Sequence, residues 1–308
     1  MARAALVTGA SGFAARFLIS ELLENDHEVV AATHGGGENL PDVLCVPLDV
    51  TDGEAVGRVI SEVRPDEIYH LAGLTRPASG EVGRFHAVNF GGALNLLEAV
   101  KAEAPEATVL LVGSAYTYGR VEHPISETEP LSPVNHYGVS KAAADMLGGS
   151  YALEGLHVIR ARPFNHSGPG QSPDFVLPTL VRQFAEIASG DREATVRLGN
   201  LDSVRDLSDV RDIARGYRLA LEKGRPGEAY NFGSGRGFSV REIFELVRRE
   251  ADAEVDLVTE ASRQRPADIP FLVADAGKAR ENLGWEAKIP LRETVRDMLA
   301  EDRGAAGA

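Results

Sequence analysis

The amino-acid sequence predicts an α/β fold: a doubly wound parallel sheet followed by a smaller α/β region. Two observations carry this prediction. Short apolar runs alternate with amphipathic stretches through the first half of the chain, as in a parallel sheet covered by helices. A turn with two glycines, Gly9 and Gly12, follows the first apolar run and opens the first amphipathic stretch. That position is typical of the first strand–helix connection in a doubly wound sheet.

The elements of the first half follow in order. Six apolar runs are the expected strands: Ala4–Val7, Glu28–Ala32, Val43–Pro47, Glu67–Leu71, Val109–Val112 and His157–Arg162. Helices are expected at about 12–24, 52–63, 83–103 and 136–154, the third with apolar residues at helical spacing from Ala93 to Val100. We therefore assign residues 1–162 to a Rossmann domain.

The amino-acid composition of the sequence changes after Arg162. Residues 163–178 are rich in Pro, Gly and Ser, which predicts a long functional loop. Helical patterns follow at about 178–190, 209–222, 239–251 and 290–301. Residues 163–308 are assigned mainly to substrate binding, and some of their segments are allowed to pack with the first domain.

Composition restricts the classes of function. With 44% hydrophobic and 25% charged residues the chain is typical of globular proteins, and its net charge of −14 argues against a nucleic-acid partner. Cys45 is the single cysteine, which excludes an intrachain disulfide and a cysteine-rich metal site; we expect no metal. An early strand leaves no room for a signal peptide, and no apolar run reaches the roughly 18 residues of a membrane span. We expect a soluble cytoplasmic protein without a membrane partner.

The glycine turn predicts a dinucleotide site. Gly9 permits a tight turn and Gly12 a close approach of the backbone to a pyrophosphate, beside the free N–H groups of the helix start that includes Ser11 and Phe13. Ala15 stands where a third glycine is common and is small enough for close helix–strand packing.

The ends of the next two strands indicate cofactor preference. The second strand ends in Thr33 and His34, neither an acid for a ribose hydroxyl nor an arginine for a 2′-phosphate, which favours NADP or dual use. Asp49, beside Val50, follows the third strand and is a candidate for the adenine amino group. A plain helix-capping role for this segment fits equally well.

Tyr137 and Lys141 are the strongest catalytic candidates. Positions i and i+4 of a helix share a face, and a neighbouring ammonium lowers the pKa of a tyrosine. Tyr137 would then exchange a proton with a sugar or alcohol oxygen. A partly buried aromatic beside a solvated lysine is the structural alternative.

Several motifs in order resemble the extended short-chain dehydrogenase/reductase family over nearly the whole chain: Gly9–Ala15, His70–Gly73, Asn89, Ser114–Gly119, Tyr137–Lys141 and Arg162–Asn165. The resemblance implies that Tyr137 is the catalytic acid/base, that Lys141 binds the nicotinamide ribose, and that Ser114 holds the reacting oxygen. It also implies an NADP(H) or NAD(H) cofactor contacted by Leu71, Ala72, Gly73 and Asn89. Asn89 fits either a proton-relay water or plain helix packing.

The second half is similar to GDP-4-keto-6-deoxy-D-mannose reductases and GDP-mannose 4,6-dehydratases, in residues 162–171, 199–206 and 263–270. That similarity implies a nucleotide-diphosphate sugar as substrate, bound by Arg205, Arg265 and Asn165, with Thr75 near a sugar hydroxyl. The arginines have forked donors suited to a diphosphate, although pairing with nearby aspartates is an alternative. His166 fits a ligand contact or a loop brace.

Within this family, dehydratases carry acidic residues just after the position of Ser114, where this chain has Ala115 and Tyr116. The expectation is therefore C4 reduction of a nucleotide-linked 4-keto-6-deoxyhexose, with GDP-4-keto-6-deoxy-D-mannose first. A nucleotide-sugar 4-epimerase, a dTDP-sugar 4-ketoreductase and a non-catalytic dinucleotide-binding regulator are the alternatives. Family members dimerise through two helices, here 83–103 and 136–154, so a homodimer is expected.

Overall fold

A computed structural model of the protein describes residues 2–35, 43–75, 81–260 and 269–306. Its strands are β1 (Arg3–Thr8), β2 (His27–Thr33), β3 (Leu44–Pro47), β4 (Glu67–His70), β5 (Thr108–Val112), β6 (His157–Pro163), β7 (Asn165–Ser167), β8 (Thr195–Leu198), β9 (Val204–Asp209), β10 (Ala229–Phe232), β11 (Gly237–Ser239), β12 (Asp256–Thr259) and β13 (Phe271–Leu272). Its helices are α1 (Phe13–Glu24), α2 (Gly53–Val63), α3 (Val82–His86), α4 (Gly92–Glu103), α5 (His136–Leu153), α6 (Val176–Ser189), α7 (Val210–Lys223), α8 (Val240–Ala251), α9 (Gly277–Leu283) and α10 (Leu291–Ala306).

The main sheet confirms the predicted doubly wound fold. Seven parallel strands run in the order β10-β6-β5-β4-β1-β2-β3. One apolar core packs α1, α7 and α9 on one face, and another packs α2, α4 and α5 on the other. The apolar runs read from the sequence are strands because both faces of the sheet are buried.

Segments from the second half return to this sheet. β10 pairs with β6 at one edge of it, and α7 packs beside α1. The main sheet and its helix layers therefore include segments from both sides of the predicted boundary after residue 162.

The rest of the second half forms a smaller lobe. Its central strand, β9, pairs with β7, β11 and β13, and β8 pairs with β12. A third apolar core joins α6, α8 and α10 to these strands. The short β7 joins the sheet domain to this lobe, since it follows β6 directly and pairs with β9.

One predicted helix is broken. The stretch expected at 83–103 consists of α3, a π-helical turn at Ala87–Gly91 and α4. A π turn inserts one residue and rotates the side chains that follow it. Asn89 lies inside the turn, with its amide bonded to the backbone of Leu74, so tertiary contacts accompany this local change.

Candidate active site

The candidate site lies at the carboxyl ends of the central parallel strands. β1 has β4 on one side and β2 on the other, so the connections leaving these strands diverge and open a crevice. The residues predicted from the ends of β1, β2, β4 and β5 all lie at this edge.

The glycine turn after β1 has the backbone geometry that the sequence predicts. Gly9 has φ +68°, in the left-handed region, and a Cβ there would lie 2.7 Å from the Cα and N of Ala72. Gly12 is the N-cap of α1 and has no capping side chain, which leaves the first N–H groups of the helix available to an anion. Ser11 is exposed at this turn, Phe13 begins the helix, and Ala15 is buried against the sheet.

The ends of β2 and β3 bring Thr33, His34 and Asp49 into one region. Thr33 is buried, while the exposed His34 has its Nδ1 3.7 Å from Oδ2 of Asp49. The other carboxylate oxygen of Asp49 accepts hydrogen bonds from the backbone and hydroxyl of Thr51, and these bonds lower the Asp49 pKa. Asp52, in contrast, caps α2. Asp49 is therefore an ionised acceptor at this edge.

Val50, a predicted cofactor contact, points its side chain into the apolar core. Its side chain is buried in the core beside Gly92, and its carbonyl oxygen accepts a hydrogen bond from Asn95 at 2.9 Å. The predicted role of Val50 in cofactor binding stays a prediction.

The turn after β4 forms the next wall of the crevice. The backbone N–H groups of Leu71 and Ala72 donate to the carbonyl and hydroxyl of Thr8, which ties this turn to β1. At Gly73 a Cβ would lie 3.1 Å from Nζ of Lys141 and 3.2 Å from Oδ1 of Asn89. The space kept by Gly9 and Gly73 suits the close backbone approach that a dinucleotide needs, so these residues fit that group.

Asn89 holds this turn rather than facing open space. Its Oδ1 accepts from the Leu74 N–H at 2.7 Å, and its Nδ2 donates to the Leu74 carbonyl and to Oγ of Ser140. The side chain is 2% exposed. Of the two roles left open by the sequence, the structure favours packing, because the amide is occupied by protein groups.

The three predicted catalytic residues converge beside this turn. Ser114 follows β5 and is buried, and its Oγ accepts the backbone N–H of Tyr116 at 3.2 Å. Tyr137 lies in the first turn of α5, which Asn135 caps, and the Ser114 hydroxyl is close enough to its side chain to act on its pKa. Lys141 lies one turn further, and its Nζ donates to the Val112 carbonyl at 2.8 Å.

The pKa predicted for Tyr137 was wrong for the protein chain by itself. Burial raises the pKa of Tyr137, and the neighbouring Ser114 hydroxyl only partly opposes that effect. The ammonium of Lys141 is directed to the Val112 carbonyl, and burial lowers its own pKa to about 8. Tyr137 is thus held in its protonated form at neutral pH.

His70 lies behind this group, and the sequence offered only its place in a motif. Its Nδ1 is 2.8 Å from the Thr8 hydroxyl, and burial, assisted by Lys141, lowers its pKa to about 3. His70 is therefore neutral and joins β4 to β1 without adding charge to the site.

Asn165 and Arg205, two predicted substrate contacts, lie on the strands of the second lobe. Asn165 begins β7, opposite Leu207 of β9, and its buried Oδ1 has no hydrogen-bond partner among the described residues. Arg205 lies on β9, is 8% exposed, and donates to the Val204 carbonyl at 2.9 Å. The buried Asn165 acceptor fits a residue that binds a ligand.

Two further substrate contacts, Thr75 and Arg265, were predicted from the sequence. Thr75 is exposed at the end of a described range, and Arg265 lies outside the described residues. His166 braces its loop: its ring is parallel to that of Phe13 at 6.2 Å, and its Nδ1 lies 3.1 Å from the Phe164 carbonyl oxygen.

Within the described ranges, no group of three or more His, Cys, Asp or Glu side chains is arranged to hold a metal ion. Among the helices described, none combines the length and apolar character needed to span a membrane.

Comparisons with known proteins agree with this geometry. A sequence model of the family described as GDP-mannose 4,6 dehydratase matches residues 6–298. The GDP-6-deoxy-D-mannose reductase of Pseudomonas aeruginosa is 34% identical, over 98% of this chain and 97% of its own length. The structure of RMD from Pseudomonas aeruginosa, complexed with NADPH, is 31% identical with a TM-score of 0.85, covering 98% of this chain and 99% of the other. The UDP-glucose 4-epimerase of Thermotoga maritima, crystallised with UDP-glucose, is 28% identical with a TM-score of 0.89 and the same coverage.

Proposed function

The chain belongs to the GDP-mannose 4,6-dehydratase family of NAD(P)-dependent short-chain oxidoreductases, and from that membership we propose that it reduces the C4 ketone of a nucleotide-linked 4-keto-6-deoxyhexose. The substrate we propose is GDP-4-keto-6-deoxy-D-mannose, and the product is GDP-D-rhamnose. The 34% identity to a GDP-6-deoxy-D-mannose reductase across both full lengths supports this choice.

The observation that carries the proposal is the convergence of Ser114, Tyr137 and Lys141 at the carboxyl end of β5. Reduction of a ketone needs a proton donor at the oxygen, and burial keeps the Tyr137 hydroxyl protonated. Ser114 donates to the same oxygen and stabilises the negative charge that develops there. Lys141, one helical turn from Tyr137, donates to the Val112 carbonyl, so its proposed role is to hold the nicotinamide ribose.

The dinucleotide, when bound, supplies the hydride. Gly9, Ser11, Gly12 and the N-terminus of α1 would hold its pyrophosphate, and Leu71–Gly73 with Lys141 would hold the nicotinamide end. Thr33, His34 and Asp49 would face the adenosine. An NADPH complex in a relative supports NADP(H), while related NAD-binding structures keep NAD(H) open.

Ala115 and Tyr116 argue against dehydration. Elimination of water from the sugar needs a second acid and base, and dehydratases of this family carry carboxyl groups at these positions. Here Ala115 is fully buried in an apolar cluster, and Tyr116 brings a phenol instead. The minimal set of Ser114, Tyr137 and Lys141 is sufficient for hydride transfer with one proton transfer.

The test is incubation of the purified protein with the 4-keto sugar and reduced cofactor. We expect oxidation of the cofactor, measured by its absorbance, and a 6-deoxyhexose product identified by NMR. Tyr137→Phe, prepared in parallel, should bind cofactor and turn over poorly. The absence of turnover with both GDP- and dTDP-linked substrates would contradict the proposal.

A nucleotide-sugar 4-epimerase is the second candidate, because a UDP-glucose 4-epimerase shares the fold over nearly the whole chain. Mass spectrometry of nucleotides released from gently purified protein separates the two. Bound NADP with a GDP-sugar supports the reductase, and stoichiometric NAD with a UDP-sugar supports the epimerase.

A homodimer is part of the proposal. Val139, Met146 and Leu153 lie seven residues apart on α5 and are 43%, 66% and 92% exposed. Apolar side chains in such a row favour burial against a second copy of the helix. Light scattering should give twice the 32.9 kDa chain mass, and Met146→Glu with Leu153→Glu should reduce it to that of one chain.

A further inference from the structure

On the basis of the nucleotide-sugar function above, we propose that Tyr116 binds the hexose: its hydroxyl donates a hydrogen bond to a sugar oxygen, and its ring positions Tyr137. From the sequence, Tyr116 fits a pocket residue or a packing residue equally well, and it is left out of the catalytic set. Its surroundings in the fold favour the pocket.

Tyr116 is the member of its turn that faces outward. The 3₁₀ turn Ala115–Thr117 follows Ser114, and within it Ala115 and Thr117 are fully buried while Tyr116 is half-buried. The turn itself is held rigidly, because Ser114 Oγ accepts the Tyr116 N–H and the Ser114 carbonyl accepts from the Thr117 hydroxyl at 2.8 Å. A side chain that leaves a rigid turn beside a catalytic residue is well placed to contact a ligand.

The ring of Tyr116 contacts the ring of Tyr137 edge to face, with centroids 5.8 Å apart and planes at 69°. Phe85 packs on the Tyr137 ring as well, with centroids 6.3 Å apart. The backbone is equally close, since a Cβ at Gly138 would lie 2.5 Å from the Tyr116 carbonyl oxygen. Tyr137 is thus fixed between a buried ring, Phe85, and a half-buried one, Tyr116.

The hydroxyl of Tyr116 has no hydrogen-bond partner in the part of the chain that the structure describes. The neighbouring Tyr118 makes the contrast clear: its hydroxyl donates to Asn231 at 2.7 Å and accepts from Arg162 at 2.9 Å. A tyrosine hydroxyl in a partly apolar setting normally finds a partner. A hexose whose reacting oxygen lay between Ser114 and Tyr137 would bring its other oxygens near Tyr116, since the Tyr116 ring contacts that of Tyr137.

Two single substitutions distinguish a hydroxyl that binds the ligand from one that only stabilises the fold. Tyr116→Phe keeps the ring and removes the hydroxyl, and Tyr118→Phe is the matched control, since it removes a phenol hydroxyl used only by the protein. The dissociation constants of GDP and of GDP-mannose are measured by calorimetry for both variants and the wild type. If the wild type binds UDP better than GDP, UDP and UDP-glucose replace them.

We expect Tyr116→Phe to weaken GDP-mannose binding about two- to tenfold, the range for one hydrogen bond, with GDP unchanged. Tyr118→Phe should lower the melting temperature and leave the ratio of the two dissociation constants as in the wild type. Tyr116→Leu, which removes the ring, should also lower kcat, whereas Tyr116→Phe should raise KM and keep kcat. An equal change for GDP and GDP-mannose in Tyr116→Phe, or no change in either, would overturn the assignment.

Wild-type turnover of the 4-keto sugar is recorded in the same series. If the wild type turns over the 4-keto sugar and Tyr116→Phe does not selectively weaken GDP-mannose binding, only the role of Tyr116 is contradicted. The selective loss without turnover supports that role and contradicts the proposed reduction.

Discussion

Replacing Gly9 by alanine tests how the glycine turn shapes the cofactor crevice. The left-handed φ of +68° costs an L-residue about 1–2 kcal/mol. The added Cβ would also lie 2.7 Å from two backbone atoms of Ala72, which cannot rotate away, and overpacking of this kind adds about 1–3 kcal/mol. We expect Gly9→Ala to lower the free energy of unfolding by about 2–5 kcal/mol in total.

Gly190 provides a matched control. Its φ of +84° is also left-handed, and nothing lies within 4 Å of a Cβ built there. Gly190→Ala therefore carries only the conformational cost, and the difference between the two variants, about 1–3 kcal/mol, measures the contact with Ala72.

Urea denaturation gives both midpoints, and titration with NADPH gives the dissociation constant of the cofactor. Since Ala72 belongs to the crevice wall, Gly9→Ala should also weaken cofactor binding, whereas Gly190→Ala should leave it unchanged. Equal stability of the two variants, to within about 0.5 kcal/mol, would refute the argument that Ala72 limits the space at Gly9.

Three further outcomes are expected. Tyr137→Phe should reduce turnover about 10²- to 10⁴-fold while cofactor affinity, measured by titration, stays near the wild-type value; a turnover close to wild type would remove Tyr137 as the proton donor. The Lys141 pKa is lowered to about 8, so its ammonium is present below that pH and lost as pH rises through it; turnover should fall above about pH 8, and a profile flat to about pH 10 would contradict this. Asp145→Ala should cost about 3–5 kcal/mol in urea denaturation, because its carboxylate pairs with Arg160 and Arg162, at 2.8 and 2.7 Å, inside the protein. The exposed pair Arg58–Glu54 is the control, and Glu54→Ala should cost less than about 1 kcal/mol; similar losses in the two variants would count against the buried pairing.

The sequence predicted most of the first domain because its strands and helices obey simple periodic rules. β1, β2, β4 and β5 are continuous apolar runs, and the structure extends each prediction by no more than one residue at its N-terminal end. Short strands were expected between the later helices, but neither the bounds of β10 (Ala229–Phe232) nor its pairing with β6, far away in sequence, was predicted. The broken helix at 83–103 was missed for a similar reason, because the π turn accompanies contacts between Asn89 and Leu74.

The candidate site divides in the same way. Residue types and spacing by themselves determined the glycine turn and the Tyr137–Lys141 face of α5, since each depends on one local element. The choice of Ser114 after β5 came from the family resemblance. The tertiary structure decided the burial, the hydrogen-bond partners and the pKa values of those groups. The Tyr137 pKa is raised rather than lowered, because burial outweighs an ammonium that bonds to Val112 instead. For Tyr116 the sequence left a pocket role and a packing role open, and the contact of its ring with Tyr137 favours the pocket. Spacing in the sequence fixes which side chains share a helix face. The burial of a side chain, and with it the direction of its pKa shift, depends on packing between segments distant in sequence.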